Sequence, residues 1–166
     1  MFLTGKLTSF FIASITLLYL VSSAHAEEVN SLLLLEKRLK EEKGNVVYLD
    51  FWSSWCGPCR KSFPWMNELQ NKYQQQGLTI LSINLDHDRK LATQFLTKTP
   101  ADFAIIYDPK GLVARKFKLK GMPSSFIFNR KGNLVSAHTG FNQQKSLAYE
   151  QEIIEFLSKT EKAQTP

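Results

Sequence analysis

The sequence predicts an α/β domain in which one mixed central sheet carries helices on both faces. Three observations predict it. Two continuous apolar runs, Val46–Trp52 (VVYLDFW) and Leu78–Leu85 (LTILSINL), have the length and unbroken hydrophobicity of strands buried on both sides. Between them lies a segment of helical period, long enough for the crossover that parallel strands require. Towards the C-terminus, Ser124–Asn129 and Asn133–Thr139 are joined by Arg130-Lys131-Gly132, the pattern of an antiparallel hairpin.

The remaining elements follow in order. Asn30–Lys43 reads as a helix, with Leu32, Leu35 and Leu39 on one face and Gly44 as a stop. After the first strand, Cys59, Phe63, Met66, Leu69 and Tyr73 repeat at helical spacing. That helix should reach Gln76 and end at Gly77, with a kink at Pro64. Asp88 can cap a short helix over Arg89–Lys98, which Pro100 ends. Phe103–Tyr107 is a short strand, Asp108–Gly111 a turn, and Leu112–Phe117 a brief helix. Tyr149, Ile153 and Phe156 mark a closing helix over about Gln143–Ser158, and the polar tail from Thr160 should fray. The order is αβαβαβαββα, with the early strands parallel.

Composition narrows the function classes. The chain has 166 residues, 43% hydrophobic and 22% charged, which suits one packed domain rather than a disordered chain. Its two cysteines are too few for a disulfide scaffold or for a four-cysteine zinc or iron–sulfur site. Twenty-one Lys and Arg against 15 Asp and Glu leave a net charge of +6, spread along the chain, which favours solubility and argues against a nucleic-acid partner.

Residues 1–26 read as an address, not as part of the domain. Lys6 is the only charge before Glu27, and an apolar run follows from Phe10 to Val21. That run falls short of the roughly 20 residues of a bilayer span. Ala24 and Ala26 fit an A-x-A cleavage site, so residues 1–26 are expected to be a signal peptide and residues 27–166 the exported domain. The alternative is an uncleaved N-terminal membrane anchor. No cysteine near the site offers a lipid attachment point.

Export sharpens the reading of Cys56 and Cys59. A pair three residues apart closes a very small ring, and the stabilisation from a disulfide grows with loop length. Chemistry is the better reason for the pair. Trp55-Cys56-Gly57-Pro58-Cys59 follows a buried strand and opens a helix, where unpaired N–H groups and the helix dipole favour a thiolate. Cys56 is therefore expected to ionise more readily than a free thiol, to be reachable and to attack disulfides, with Cys59, one turn on and deeper, resolving the mixed disulfide. Pro58 suits a helix start, and Gly57 adds neither bulk nor charge to the rim.

Asp50 stands inside an apolar strand, where a carboxylate is costly to bury. Burial should raise its pKa and fit it to carry a proton for Cys59. The plainer alternative is an Asp at the strand's mouth, capped by backbone donors. Gly121-Met122-Pro123 precedes a strand, where proline is sterically allowed; by itself it reads as a turn.

Asp50-Phe51-Trp52-Ser53-Ser54-Trp55-Cys56-Gly57-Pro58-Cys59 resembles the active-site segment of thioredoxins, and residues 30–158 resemble the exported TlpA/ResA-like thiol–disulfide oxidoreductases. The resemblance implies a thioredoxin-like fold with one extra βα insertion, at about residues 86–110. It implies that Cys56 and Cys59 are the redox pair, that Asp50 is the buried acid, and that Pro123 is cis and faces the disulfide. The Met122 backbone would pair with an extended substrate segment, and Trp55 would pack beside the disulfide and shape the contact surface, while Trp52 belongs to the core. The partners implied are disulfide-containing exported proteins and a membrane thiol electron donor. No cofactor is needed, a periplasmic monomer is expected, and Gly-Pro between the cysteines favours a reductase. An oxidase or isomerase of secreted proteins, or a redox-inactive binding module on the same fold, are the alternatives.

Other signals read as ordinary. Arg60 stands where C-x-x-C-H would place a haem-attaching histidine. His87 and His138 are too far apart for a zinc finger, so no metal site is expected and both should be surface residues. Lys110, Arg115, Lys116, Lys118 and Lys120 alternate with apolar residues, as a solvated face over a core does; the alternative is a docking patch for an acidic partner or an anionic membrane.

Overall fold

The computed structural model describes residues 31–159. The expected signal peptide in residues 1–26, the expected helix start at Asn30 and the polar tail at 160–166 lie outside them. The first helix, α1, runs to residue 41 from the first described position. Its Leu35 is buried, and Leu32 and Leu39 pack against the same cluster. Strand β1 (Val46–Trp52) is buried at every position. It is followed by α2 (Gly57–Tyr73), β2 (Leu78–Asn84), α3 (Arg89–Lys98), β3 (Ala104–Tyr107), α4 (Leu112–Lys116), β4 (Ser124–Phe128), β5 (Leu134–Thr139) and α5 (Gln143–Ser158).

The strands form one sheet in the order β3-β2-β1-β4-β5. β1 pairs in parallel with β2, and β2 with β3; β4 runs antiparallel to both β1 and β5. This is the mixed sheet that the two apolar runs and the C-terminal hairpin predict. Residues 86–110, expected to hold an inserted βα unit, contain α3 and the edge strand β3.

Alternation along β1 sorts the core into two layers. Val46, Tyr48 and Trp52 pack with Phe63, Met66 and Leu69 of α2, Phe95 of α3, and Ile153 and Leu157 of α5. Val47, Leu49 and Phe51 pack on the opposite face with Leu35 of α1 and Val113 of α4. Helices therefore cover both faces. Phe117 and Leu119 join the second layer, while Lys116 is outside in an ion pair with Glu36, so the basic cluster is a solvated face over core residues.

Element ends follow local chemistry. α2 starts at Gly57 rather than Cys59, because Pro58 fits the first turn, and it runs on through Pro64. Gln74–Gln76 form a 3-10 turn that closes at Gly77, where φ is +89°. The positive φ favours glycine, and a side chain there would also displace the Arg130 guanidinium, 2.6 Å away. The Asp88 carboxylate caps α3 by accepting from the Lys90 N–H at 2.9 Å. Asp108 accepts from the N–H groups of Leu112, Val113 and Ala114 at 2.9–3.2 Å and so fixes the start of α4.

Candidate active site

The segment between β1 and α2 is held before any chemistry is considered. The Ser54 N–H donates to the Asp86 carboxylate at 3.0 Å, and the Ser54 hydroxyl donates to it at 2.9 Å. Asn84, at the end of β2, donates its side-chain amide to the same carboxylate at 2.9 Å. The Cys56 N–H donates to the Ser53 carbonyl at 3.2 Å, which closes the turn into α2.

Cys56 is the N-cap of α2. Its Sγ accepts from the Cys59 N–H at 3.3 Å and is bonded to the Cys59 Sγ, with 5.2 Å between the two Cα atoms. The leading sulfur thus occupies the place where a cap oxygen normally answers the unpaired N–H groups of the first turn. Cys59 is fully buried. Cys56 keeps 6% exposure, less than the open thiol the sequence suggests, and its neighbours Trp55, Gly57 and Pro58 are exposed around it. Trp55 is 67% exposed and stands out from the surface. A Cβ built at Gly57 would touch nothing, so the chain is uncrowded at that position.

Met122–Pro123 is a cis peptide, and Pro123 is buried. The Ser53 hydroxyl, 3.9 Å from the Met122 Sδ, places this loop beside the cysteine turn, and the Gly140 N–H, donating to the Pro123 carbonyl at 2.7 Å, ties it to the end of β5. Met122 also packs against the cluster that contains Cys56 and Cys59. Residues 69 positions apart in the chain therefore meet beside the cysteines.

Asp50 lies below. It shares a face of β1 with Tyr48 and Trp52, whose rings pack in the same cluster as both cysteines. It is buried, its Oδ2 has no hydrogen-bond partner, and burial alone pushes its pKa well above the usual carboxylate range. The capped-Asp alternative does not describe it. Its neighbour on β2 is Ser82 and its neighbour on β4 is Ser125. Trp52 is core, with its Nε1–H donated to the Ser82 hydroxyl at 3.2 Å.

Two features escape the sequence reading. Asp86, which holds the cysteine turn, gives no signal beyond being an acid directly after an apolar strand. His138 is not a surface residue, which corrects the expectation. Its side chain is 13% exposed because α5 packs over β5. Its Nε2 lies 2.7 Å from the Glu152 Oε2, and its ring stacks on Tyr149 at 4.0 Å between centroids. His87 is exposed as expected.

Comparison with known proteins agrees with this geometry. Residues 33–153 match the Redoxin family. Over 109 residues the chain is 30% identical to the thiol-disulfide oxidoreductase ResA of Bacillus thuringiensis subsp. konkukian, covering 66% of this chain and 63% of that one. It is 32% identical over 105 residues to ResA of Geobacillus thermodenitrificans, covering 63% and 60%. The matched part thus spans under two thirds of these curated relatives. A Chlorobium tepidum structure carrying the name thiol:disulfide interchange protein DsbE superposes with a TM-score of 0.70 at 47% identity, over 72% of this chain and 84% of that one. StoA from Bacillus subtilis superposes with a TM-score of 0.56 at 25% identity, over 66% and 84%.

Proposed function

The chain belongs to the Redoxin family, among the ResA/TlpA-like proteins of the thioredoxin superfamily, and from that premise we propose that it is a thiol–disulfide oxidoreductase acting on exported proteins as a reductase. The observation that carries this is Cys56 at the N-cap of α2, bonded to a fully buried Cys59 and flanked by exposed Trp55, Gly57 and Pro58.

The reaction is two exchanges. In the reduced protein, the Cys56 thiolate is stabilised by the Cys59 N–H and the helix dipole, and it attacks one sulfur of a substrate disulfide. A Cys56–substrate disulfide forms, and the other substrate sulfur leaves as a thiolate that takes a proton from solvent. Cys59 then gives its proton to Asp50 and attacks the Cys56 sulfur. The Cys56–Cys59 disulfide forms and the second substrate sulfur leaves. The substrate gains two electrons and the protein's dithiol loses two. A membrane thiol donor would return them.

Trp55, Gly57, Pro58, Met122 and Pro123 line the rim as the substrate surface. The Met122 backbone would pair with an extended substrate segment, strand to strand. Residues 1–26 support export, by cleavage of a signal peptide and release into the periplasm. Among the described residues no helix is long and apolar enough to cross a membrane.

Reduction of insulin disulfides by dithiothreitol tests the reaction. Wild-type protein should accelerate it and Cys56→Ser should not; equal rates would reject the enzyme in favour of a binding module. Equilibration with glutathione tests direction. A dithiol that reduces oxidised glutathione nearly completely fits a reductase, and a strongly oxidising pair would reassign the protein to disulfide formation.

A further inference from the structure

Asp50 must both receive and return a proton, yet it is sealed. Among its neighbours in the sheet, only one side leads outward. On β2, the Ser82 hydroxyl is already engaged, accepting from the Trp52 Nε1–H and donating to the Ala104 carbonyl at 3.3 Å. On the other side, Asp50, Ser125 and His138 are successive cross-strand partners on β1, β4 and β5. Such partners project from the same face of the sheet, with Cβ atoms about 5 Å apart.

From Ser125 outward the polar atoms of this row connect. The Ser125 hydroxyl lies 3.5 Å from His138 Nδ1, and His138 Nε2 lies 2.7 Å from Glu152 Oε2. A carboxylate only accepts, so His138 carries its hydrogen on Nε2 and presents Nδ1 to the Ser125 hydroxyl. The Ser136 hydroxyl lies 3.2 Å from the same Nε2. Exposure rises along the row: Asp50 2%, Ser125 3%, the His138 side chain 13%, the Glu152 side chain 31%. From α5, Tyr149 stacks on the imidazole and donates its hydroxyl to the Gly140 carbonyl at 3.1 Å, while Lys145 is turned onto the Thr139 carbonyl at 2.7 Å. Glu152 is thus the group on that helix that receives from the ring.

We propose that Ser125, His138 and Glu152 form a proton route joining Asp50 to solvent. After Cys59 has given its proton to Asp50, the acid passes it to Ser125, directly or across one water. Ser125 passes its own proton to His138 Nδ1, and His138 releases the Nε2 proton to Glu152, which exchanges with bulk. The route runs in reverse when the disulfide is reduced. No electrons move along it. His138 and Glu152 are positioning residues, acting on the cysteines only through Asp50, and the inference rests on the reading of Asp50 as the proton carrier.

The test follows the tryptophan fluorescence of the reduced full-length chain as it is oxidised by a disulfide-bonded peptide in stopped flow, with and without added imidazole. A positioned proton carrier is worth about 10²–10⁴ in rate, so loss of one member of a route should slow the second exchange about tenfold. His138→Phe keeps the aromatic stack and should show this loss, recovered by imidazole as an external carrier. Glu152→Gln, on the surface, keeps an acceptor for the hydrogen bond but no carboxylate to take the proton and should behave alike, which preserves the test if the first variant does not fold. Asp50→Asn should be slow without recovery. A slow Asp50→Asn beside wild-type rates in both route variants overturns the route and leaves Asp50 standing. Route variants that are slow but indifferent to imidazole reduce His138 to a structural part. Wild-type rates in Asp50→Asn remove the premise itself.

Discussion

The Asp86 carboxylate grips Ser54 twice, through its N–H at 3.0 Å and its hydroxyl at 2.9 Å, and so fixes the turn that presents Cys56. Asp86 is itself buried and held by Asn84. Asp86→Ala would leave the Ser54 N–H and the Asn84 amide without a partner, and each such buried loss costs about 1–3 kcal/mol. Urea denaturation should report the sum of the two, about 2–6 kcal/mol. Insulin reduction should fall with it even at temperatures where the variant stays folded, because the turn no longer holds Cys56 at the helix cap. A variant with wild-type stability would remove Asp86 from this role.

Asp50 makes stability depend on pH with a defined sign. Its pKa is raised by burial, so the native state binds the proton more tightly than the unfolded chain, where the group titrates near 3.8. Below that value the acid is neutral in both states and costs nothing on this account. As pH rises from there through the native pKa, the unfolded state ionises first and stability falls. Each tenfold gain in proton affinity is worth about 1.4 kcal/mol. Asp50→Asn cannot ionise, so its melting temperature should match or trail wild type in acid and pass it progressively towards alkaline pH. A constant difference across pH would contradict a buried, elevated carboxyl.

The parts legible in the sequence were those written in contiguous residues. VVYLDFW and LTILSINL announce buried strands because both faces of β1 and β2 are covered, and an Asp inside the first is conspicuous for the same reason. The helix cap at Cys56 follows from what surrounds it, although α2 begins two residues early because Gly57 and Pro58 both suit a first turn. What could not be read depends on partners remote in the chain. Asp86 matters because of Ser54, 32 positions away. His138 lies on an edge strand whose alternation suggests a solvated side chain, and only the packing of α5 across β5 encloses it against Glu152.

Trp55 separates binding from folding. At 67% exposure it contributes little to the core, yet it is the largest apolar group on the rim beside the disulfide. Aromatic anchors at interfaces typically cost more than 1 kcal/mol when truncated, about fivefold in affinity. Trp55→Ala should therefore raise KM for a protein disulfide about fivefold and leave Tm unchanged. Reaction with a small disulfide, which needs no contact surface, should be almost unaffected. An equal loss on both substrates would mean that the indole acts on the cysteines and not on the partner.

The proposed order of attack follows from the asymmetry of the pair. Cys56 Sγ sits at the helix cap and its residue keeps 6% exposure; Cys59 is fully buried and contributes its N–H to that sulfur. On this proposal a substrate meets Cys56, and Cys59 displaces it. Cys59→Ser removes the second step without touching the first, so mixed disulfides should accumulate on Cys56 and be recovered from non-reducing gels for identification by mass spectrometry. Cys56→Ser should trap nothing, because its remaining thiol is buried. Iodoacetamide at pH 7 provides the matching kinetic control: in the reduced protein Cys56 should alkylate at least about tenfold faster than Cys59, as a cap-stabilised, reachable thiolate does. Adducts found on Cys59 in the Cys56→Ser protein would reverse the assignment of the two sulfurs.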